Sequence, residues 1–215
     1  QVDVPSDFYS TDFYASKLID YLKSGEKSGK PFFGYLAFTA PHWPLQAHEV
    51  DIAKYEDRYK EGYEALRTER LARMKQLGIV PADTDVFVRD KTWPAWDRLS
   101  TAEKASEAKR MAVYAAMVDN MDQNIGRVLA YLKQTGQLDN TFIFFLSDNG
   151  ADGNSIYDVA RTREWIHKDM DNSIENLGKR GSFAEYGPGW AQVGSTPNRL
   201  YKSFMYQGGI AVPAI

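Results

Sequence analysis

The chain has 215 residues, of which 43% are apolar and 26% charged, enough for one sizeable globular unit. Its net charge of −3 gives no broad basic field for nucleic acid. The absence of cysteine excludes disulfides and thiolate metal sites within it. No apolar run approaches the roughly 20 residues that span a bilayer.

Residues 1–12 have neither a basic start nor an apolar stretch, so no signal peptide is expected there. Residues 11–22 (TDFYASKLIDYL) predict a helix, with Thr11 as N-cap and Tyr14, Leu18, Tyr21 and Leu22 on one side. After a polar turn, residues 31–38 (PFFGYLAF) are nearly continuously apolar, as in a strand covered on both faces. The run ends in TAPHWP, whose prolines can extend neither strand nor helix, so a rigid loop carries His42. Residues 50–78 are charged and mostly helical in pattern, with Leu66, Leu71, Met74 and Leu77 at helical spacing. Residues 79–99 read as an irregular surface excursion.

The clearest helix spans residues 101–136, where Met111, Tyr114, Val118, Met121, Ile125, Val128, Leu129 and Leu132 form one apolar stripe. Residues 141–147 (TFIFFLS) predict a second buried strand running into Asp148-Asn149-Gly150. Residues 152–199 are long, polar and glycine-rich, with little periodicity. The chain starts on Gln and stops on IAVPAI, an apolar strand cut short, so it reads as an internal piece of a longer polypeptide. Helix, turn, apolar strand and polar loop together are the grammar of an open α/β sheet, whose ligands bind beyond the carboxyl ends of the strands.

Two loops follow strands in that way. Asp148 and Asn149 offer hard oxygen ligands suited to Ca2+ or Mg2+, although Asp-Asn-Gly is also an ordinary turn. His42 is placed either to protonate a leaving oxygen or to pack beside Trp43. Lys202 would neutralise an anion if it stood at a strand end; otherwise it is a solvated charge. Gly208-Gly209 permits a close backbone approach or a positive φ. His48 and His167 read as surface residues. Trp93, Trp96, Trp165 and Trp190 would line an aromatic pocket or, as the simpler reading, pack internally, and Met111, Met117 and Met121 read as core.

Three stretches, PFFGYLAFTAPHWPLQA at 31–47, the run from MAVYAAMVDN to FFLSDNGADG at 111–153, and RLYKSFMYQGGIAVPAI at 199–215, resemble the arylsulfatases of the alkaline-phosphatase-like superfamily in identity and order. The long excursion between SDNG and LYK is similar to the bacterial branch. The resemblance implies an α/β fold, part of a doubly wound sheet flanked by helices, with residues 1–215 forming an incomplete catalytic domain. It implies a sulfuric ester hydrolase acting on a small-molecule sulfate ester, with no nucleic-acid or membrane partner. It assigns Asp148 and Asn149 as two ligands of one divalent cation, Ca2+ or in second place Mg2+. It assigns His42 to the leaving-group oxygen and Lys202 to the sulfate oxygens, both as catalytic and substrate-binding residues. A bacterial cytoplasm or periplasm would suit that branch.

The family's nucleophile, a formylglycine made from a Cys or Ser in a C/S-x-P-S/T-x-R motif, has no counterpart here. Ser195-Thr196-Pro197 has the wrong order, and Ala211 stands where many relatives carry arginine. The upstream aspartates, the family's first Lys/His pair and its C-terminal subdomain are also missing. The chain by itself is therefore expected to be inactive and, with uncovered apolar faces, to self-associate. A phosphonate or phosphate ester hydrolase of the same superfamily and a non-catalytic sulfatase-derived binding domain stand as alternatives.

Overall fold

A computed structural model describes residues 4–5, 7–89 and 91–215. Part of the stretch read for a leader, and one residue of the 79–99 excursion, therefore lie outside the described residues. The spine is a 34-residue helix, numbered α4 in chain order (Thr101–Gln134). It begins at Thr101, as the sequence reading has it. Ser100 is the N-cap, its hydroxyl accepting from the Glu103 N–H while the Glu103 carboxylate accepts from the Ser100 N–H. Such reciprocal capping satisfies donors the helix itself leaves open and is worth about 1 kcal/mol.

The core lies on one face of α4, and this face is not the expected stripe. Ala108, Ala112, Val113, Ala116, Met117, Asn120 and Asn124 are buried there. α1 (Ser10–Gly25) and α2 (Glu49–Ala53) pack against α4. Of the expected stripe Leu132 is buried, whereas Met111, Tyr114, Val118, Met121, Ile125, Val128 and Leu129 line an open cleft and are only half-buried. Met117 alone of the three methionines expected in the core is fully buried.

α1 contains its predicted span, 11–22, and runs on to Gly25, but Thr11 is not its cap. Tyr9 occupies that position without a side-chain cap, and Thr11 is buried in the first turn. A polar lattice joins α1 to α4. Asp12 accepts from Asn124 at 2.7 Å and Asn120 at 3.2 Å, and its second oxygen lies 2.9 Å from His48 Nε2. Burial pushes the Asp12 carboxyl up, but the hydrogen bonds from His48, Asn124 and Asn120 outweigh this and hold it below the usual carboxylate range.

α3 (Gly62–Gln76) packs on α6 (Gly187–Gly194). Trp190, fully buried, meets Tyr59, Tyr63 and Trp96 edge-on at centroid distances of 5.8, 5.5 and 5.7 Å. Trp93 is also buried. The packing reading of these tryptophans holds, while Trp165 is partly exposed and leans edge-on against Phe183. Residues 152–199 are more ordered than their composition suggests. They contain α5 (Ala160–Asp169) and α6, and supply Ile166, Leu177 and Trp190 to the interior. α6 shows no helical stripe in the sequence because five of its eight residues are buried.

The doubly wound sheet expected from the sequence is not formed among the described residues. Residues 31–38 and 141–147 are not assigned as strands. Their one ladder element is an antiparallel bridge of Leu146 with Ala214, closed by reciprocal Phe145–Ile215 hydrogen bonds of 2.8 and 2.9 Å. A strand's N–H and C=O groups need a neighbouring strand to pair with, and a two-stranded contact is marginal in water. Phe33, Tyr35, Phe142 and Ile215 stand open in consequence. The last run begins as one helical turn, α7 (Gln207–Ile210), rather than as a strand. No described helix is long and apolar enough to cross a membrane.

Candidate functional site

His42 sits in the loop after residues 31–38, held by a turn in which its N–H donates to the Thr39 carbonyl at 3.0 Å. Its Nδ1 lies 2.7 Å from the Trp43 carbonyl oxygen. A carbonyl only accepts, so Nδ1 carries the proton and, in the neutral ring, Nε2 presents its lone pair. That Nε2 faces Lys202 Nζ at 3.3 Å, across 160 positions of sequence.

Asp152, which the sequence reading did not single out, lies between them. Its Oδ2 is 3.4 Å from His42 Nε2 and 3.5 Å from Lys202 Nζ, and accepts from the Trp43 indole N–H at 3.2 Å. Its Oδ1 accepts from both the backbone and side-chain amides of Asn154, at 3.0 and 2.7 Å. Burial pushes the Asp152 carboxyl up. The Asn154 hydrogen bonds, then the nearby Lys202 and His42, outweigh it and hold the group below the usual range. The signal for Asp152 was its Asp-x-Asn pattern, which favours a side-chain turn. Nothing local could show that this turn meets the His42 loop.

Close backbone contact holds the pieces in register. The Lys202 N–H donates to the Ala151 carbonyl at 2.8 Å, and the Gly150 N–H to that of Gly209 at 3.0 Å. A Cβ on Gly150 would fall 1.8 Å from the Gly208 oxygen, and one on Gly208 would fall 2.0 Å from the Leu200 oxygen. Gly208-Gly209 thus serves close approach rather than positive φ. Gly153 lies against Ala191 and Tyr201, where a Cβ would be 2.8 Å from each. That contact seats the Asp152 turn on α6. Ser195 is buried and donates to the Gly208 carbonyl at 3.1 Å, a bracing role in keeping with its wrong motif.

Asp148 and Asn149 line the same open cleft as His42, Asp152 and Lys202. Asp148 is exposed, and no hydrogen bond links it or the Asn149 side chain to the His42–Lys202 pair among the described residues. A carboxylate and an amide oxygen suit a hard divalent cation in kind, but Ca2+ takes six to eight oxygens, so they form part of a ligand set at most. No cluster of three or more His, Cys, Asp or Glu side chains able to hold a metal occurs among the described residues. His48 pairs with Asp12 and His167 is exposed beside Tyr157, so neither belongs to the site.

The profile of the Sulfatase family matches residues 2–215. An uncharacterized sulfatase of Schizosaccharomyces pombe is 51% identical over 211 residues, covering 97% of this chain and 38% of that protein. The arylsulfatase of Klebsiella aerogenes is 43% identical over 213 residues, covering 98% of this chain and 45% of its own length. The chain thus spans less than half of either relative. Among solved structures, the yidJ sulfatase of Bacteroides fragilis superposes with a TM-score of 0.50 at 16% identity, over 96% of this chain and 30% of that one, a likeness of fold alone. A helix-rich segment whose apolar runs line its cleft is thereby placed within an alkaline-phosphatase-like α/β fold, and the chain belongs to the sulfatase family.

Proposed function

We propose that the protein containing this chain hydrolyses a sulfate monoester, an aryl sulfate in the first instance, to an alcohol and sulfate. The observation that carries the reading is the approach of His42 Nε2 to Lys202 Nζ at 3.3 Å, at the cleft that Asp148 and Asn149 also line. In hydrolysis the S–O bond to the alcohol breaks and its electron pair stays on the ester oxygen. An oxygen that ultimately comes from water joins sulfur. His42, with Nδ1 anchored on Trp43 and its ring in the protonated form, presents the Nε2–H toward the cleft as the proton donor to the leaving oxygen. Lys202 places a cation against the sulfuryl oxygens. Asp148 and Asn149 would contribute two oxygen ligands to a divalent cation, Ca2+ before Mg2+, the other ligands coming from elsewhere in the protein. When bound, such an ion stabilises negative charge on the sulfuryl group.

The full-length protein should hydrolyse 4-nitrophenyl sulfate. H42A should lower kcat by about 10²–10⁴, and K202A should lower kcat/KM by about 10²–10³. The 215-residue chain alone, without a formylglycine motif, should release no nitrophenol. Cleavage of phosphonate esters but not sulfate esters would favour a phosphoryl hydrolase instead. Loss of both activities, with sulfate still bound, would favour a binding domain.

A further inference from the structure

Two nitrogens that both carry positive charge when protonated stand 3.3 Å apart at the mouth of the cleft. Unscreened like charges at that separation repel. They also belong to loops 160 residues apart, so nothing local keeps them together. Asp152 is the group that touches both.

Its side chain is 13% exposed, against 43% for His42 and 30% for Lys202, so it is the fixed member of the three. Both amides of Asn154 hold Oδ1. The Trp43 indole holds Oδ2, and because Trp43 also anchors His42 Nδ1 through its carbonyl, the same residue ties carboxylate and imidazole together. Gly153 seats the turn on Ala191 of α6, in the buried core. A carboxylate that accepts five contacts and is locked by the core is costly to build at a cleft unless its charge is used.

We propose that Asp152 is the positioning residue of this site, the shared counter-charge that holds His42 and Lys202 side by side and orients Nε2 for proton donation. This rests on the sulfatase reading above. Asp152 acts through its two neighbours and makes no contact with the ester itself. The neutral ring accepts from Lys202 at Nε2, whereas the protonated ring turns the same nitrogen into a donor that Asp152 Oδ2 holds until the leaving oxygen takes the proton. The carboxylate thus keeps the imidazole in place in both states. It also prevents the Lys202 ammonium from displacing His42 toward solvent.

The test uses the full-length protein with D152N, D152E and H42A. D152N keeps the size and the Oδ1 acceptor but loses the charge. It should lower kcat on 4-nitrophenyl sulfate by about 10- to 100-fold, part of what a positioned acid supplies. The loss should be larger on phenyl sulfate, whose leaving oxygen needs a proton more. In an H42A background D152N should cost markedly less than in the wild type, because the imidazole whose proton donation it orients is gone and only its effect through Lys202 remains. D152E should recover part of the lost rate. The crystal structure of D152N should show His42 Nε2 and Lys202 Nζ separated beyond hydrogen-bond distance, with the fold unchanged.

A uniform loss on both esters that adds fully to H42A would overturn the proposal, as would a D152N structure in which the pair stays in contact. If the wild-type protein hydrolyses no sulfate ester, the sulfatase reading fails. The structural comparison then still decides whether Asp152 holds the pair.

Discussion

At the scale of single residues, charge placement governs the site. His42 is one of three histidines, and it differs from His48 and His167 both in its proline-flanked loop and in having Lys202 beside Nε2. Asp148 differs from Asp152, the other carboxylate lining the cleft, in having no ion pair among the described residues. If it is a ligand, its removal takes away a full charge that the neutral Asn149 cannot replace. D148A should therefore weaken Ca2+ binding to the full-length protein at least about tenfold, because ligand charge sets affinity in such sites. Calorimetric titration would measure this. Unchanged affinity would remove Asp148 from the ligand set.

At the scale of elements, α1 and α4 are joined by a polar lattice rather than by an apolar seam. Asn120 and Asn124 are buried on α4, and Asp12 on α1 accepts from both. The Arg127 guanidinium extends the lattice, donating to Asn124 Oδ1 at 2.6 Å and to the Ser16 hydroxyl at 2.8 Å. Weakening this acceptor strains the buried Asn120 amide donor, while the Asn124 amide keeps the Asn120 oxygens. The sign with pH follows from the Asp12 carboxyl being held below its ordinary value. The folded state then binds that proton less readily than the unfolded chain. Its stabilisation is full above the unfolded pKa of about 3.9 and fades as pH falls through the lower folded value. D12N should cost about 1 kcal/mol near neutrality, after allowance for the solvent screening of a side chain that is 40% exposed. The difference from wild type should shrink as pH falls below the unfolded value and vanish only below the lower folded one. Denaturant titrations at several pH values would check it, and a difference that grows on acidification would contradict it.

At the scale of the whole molecule, the cleft is walled by residues that want neighbours. Phe33, Tyr35, Phe142 and Ile215 are each more than 80% exposed, and residues 31–38 and 141–147 leave backbone groups without a ladder. Unpaired extended segments with apolar side chains are templates for association. The isolated 215-residue chain should therefore self-associate in a concentration-dependent way and bind a hydrophobic dye. Sedimentation velocity and dye fluorescence would show both. A monomer that unfolds sharply and binds no dye would contradict the expectation.

Some of this was legible along the chain. The helices α1 and α4, the stiff loop at His42, and the apolar runs at 31–38 and 141–147 follow from local periodicity and from proline and glycine punctuation. These are properties of neighbours a few positions apart. Other features depended on residues that meet only in space. The burial of Ala112, Asn120 and Asn124 in place of the Met111–Leu129 stripe depends on which face α1 and α2 reach. The runs fail to pair because pairing requires a partner strand. Asp152 acquires its place only because a turn seated on α6 brings it to a loop more than a hundred positions away. Periodicity is encoded over a few residues, whereas the company a charge keeps is decided by the packing of distant segments.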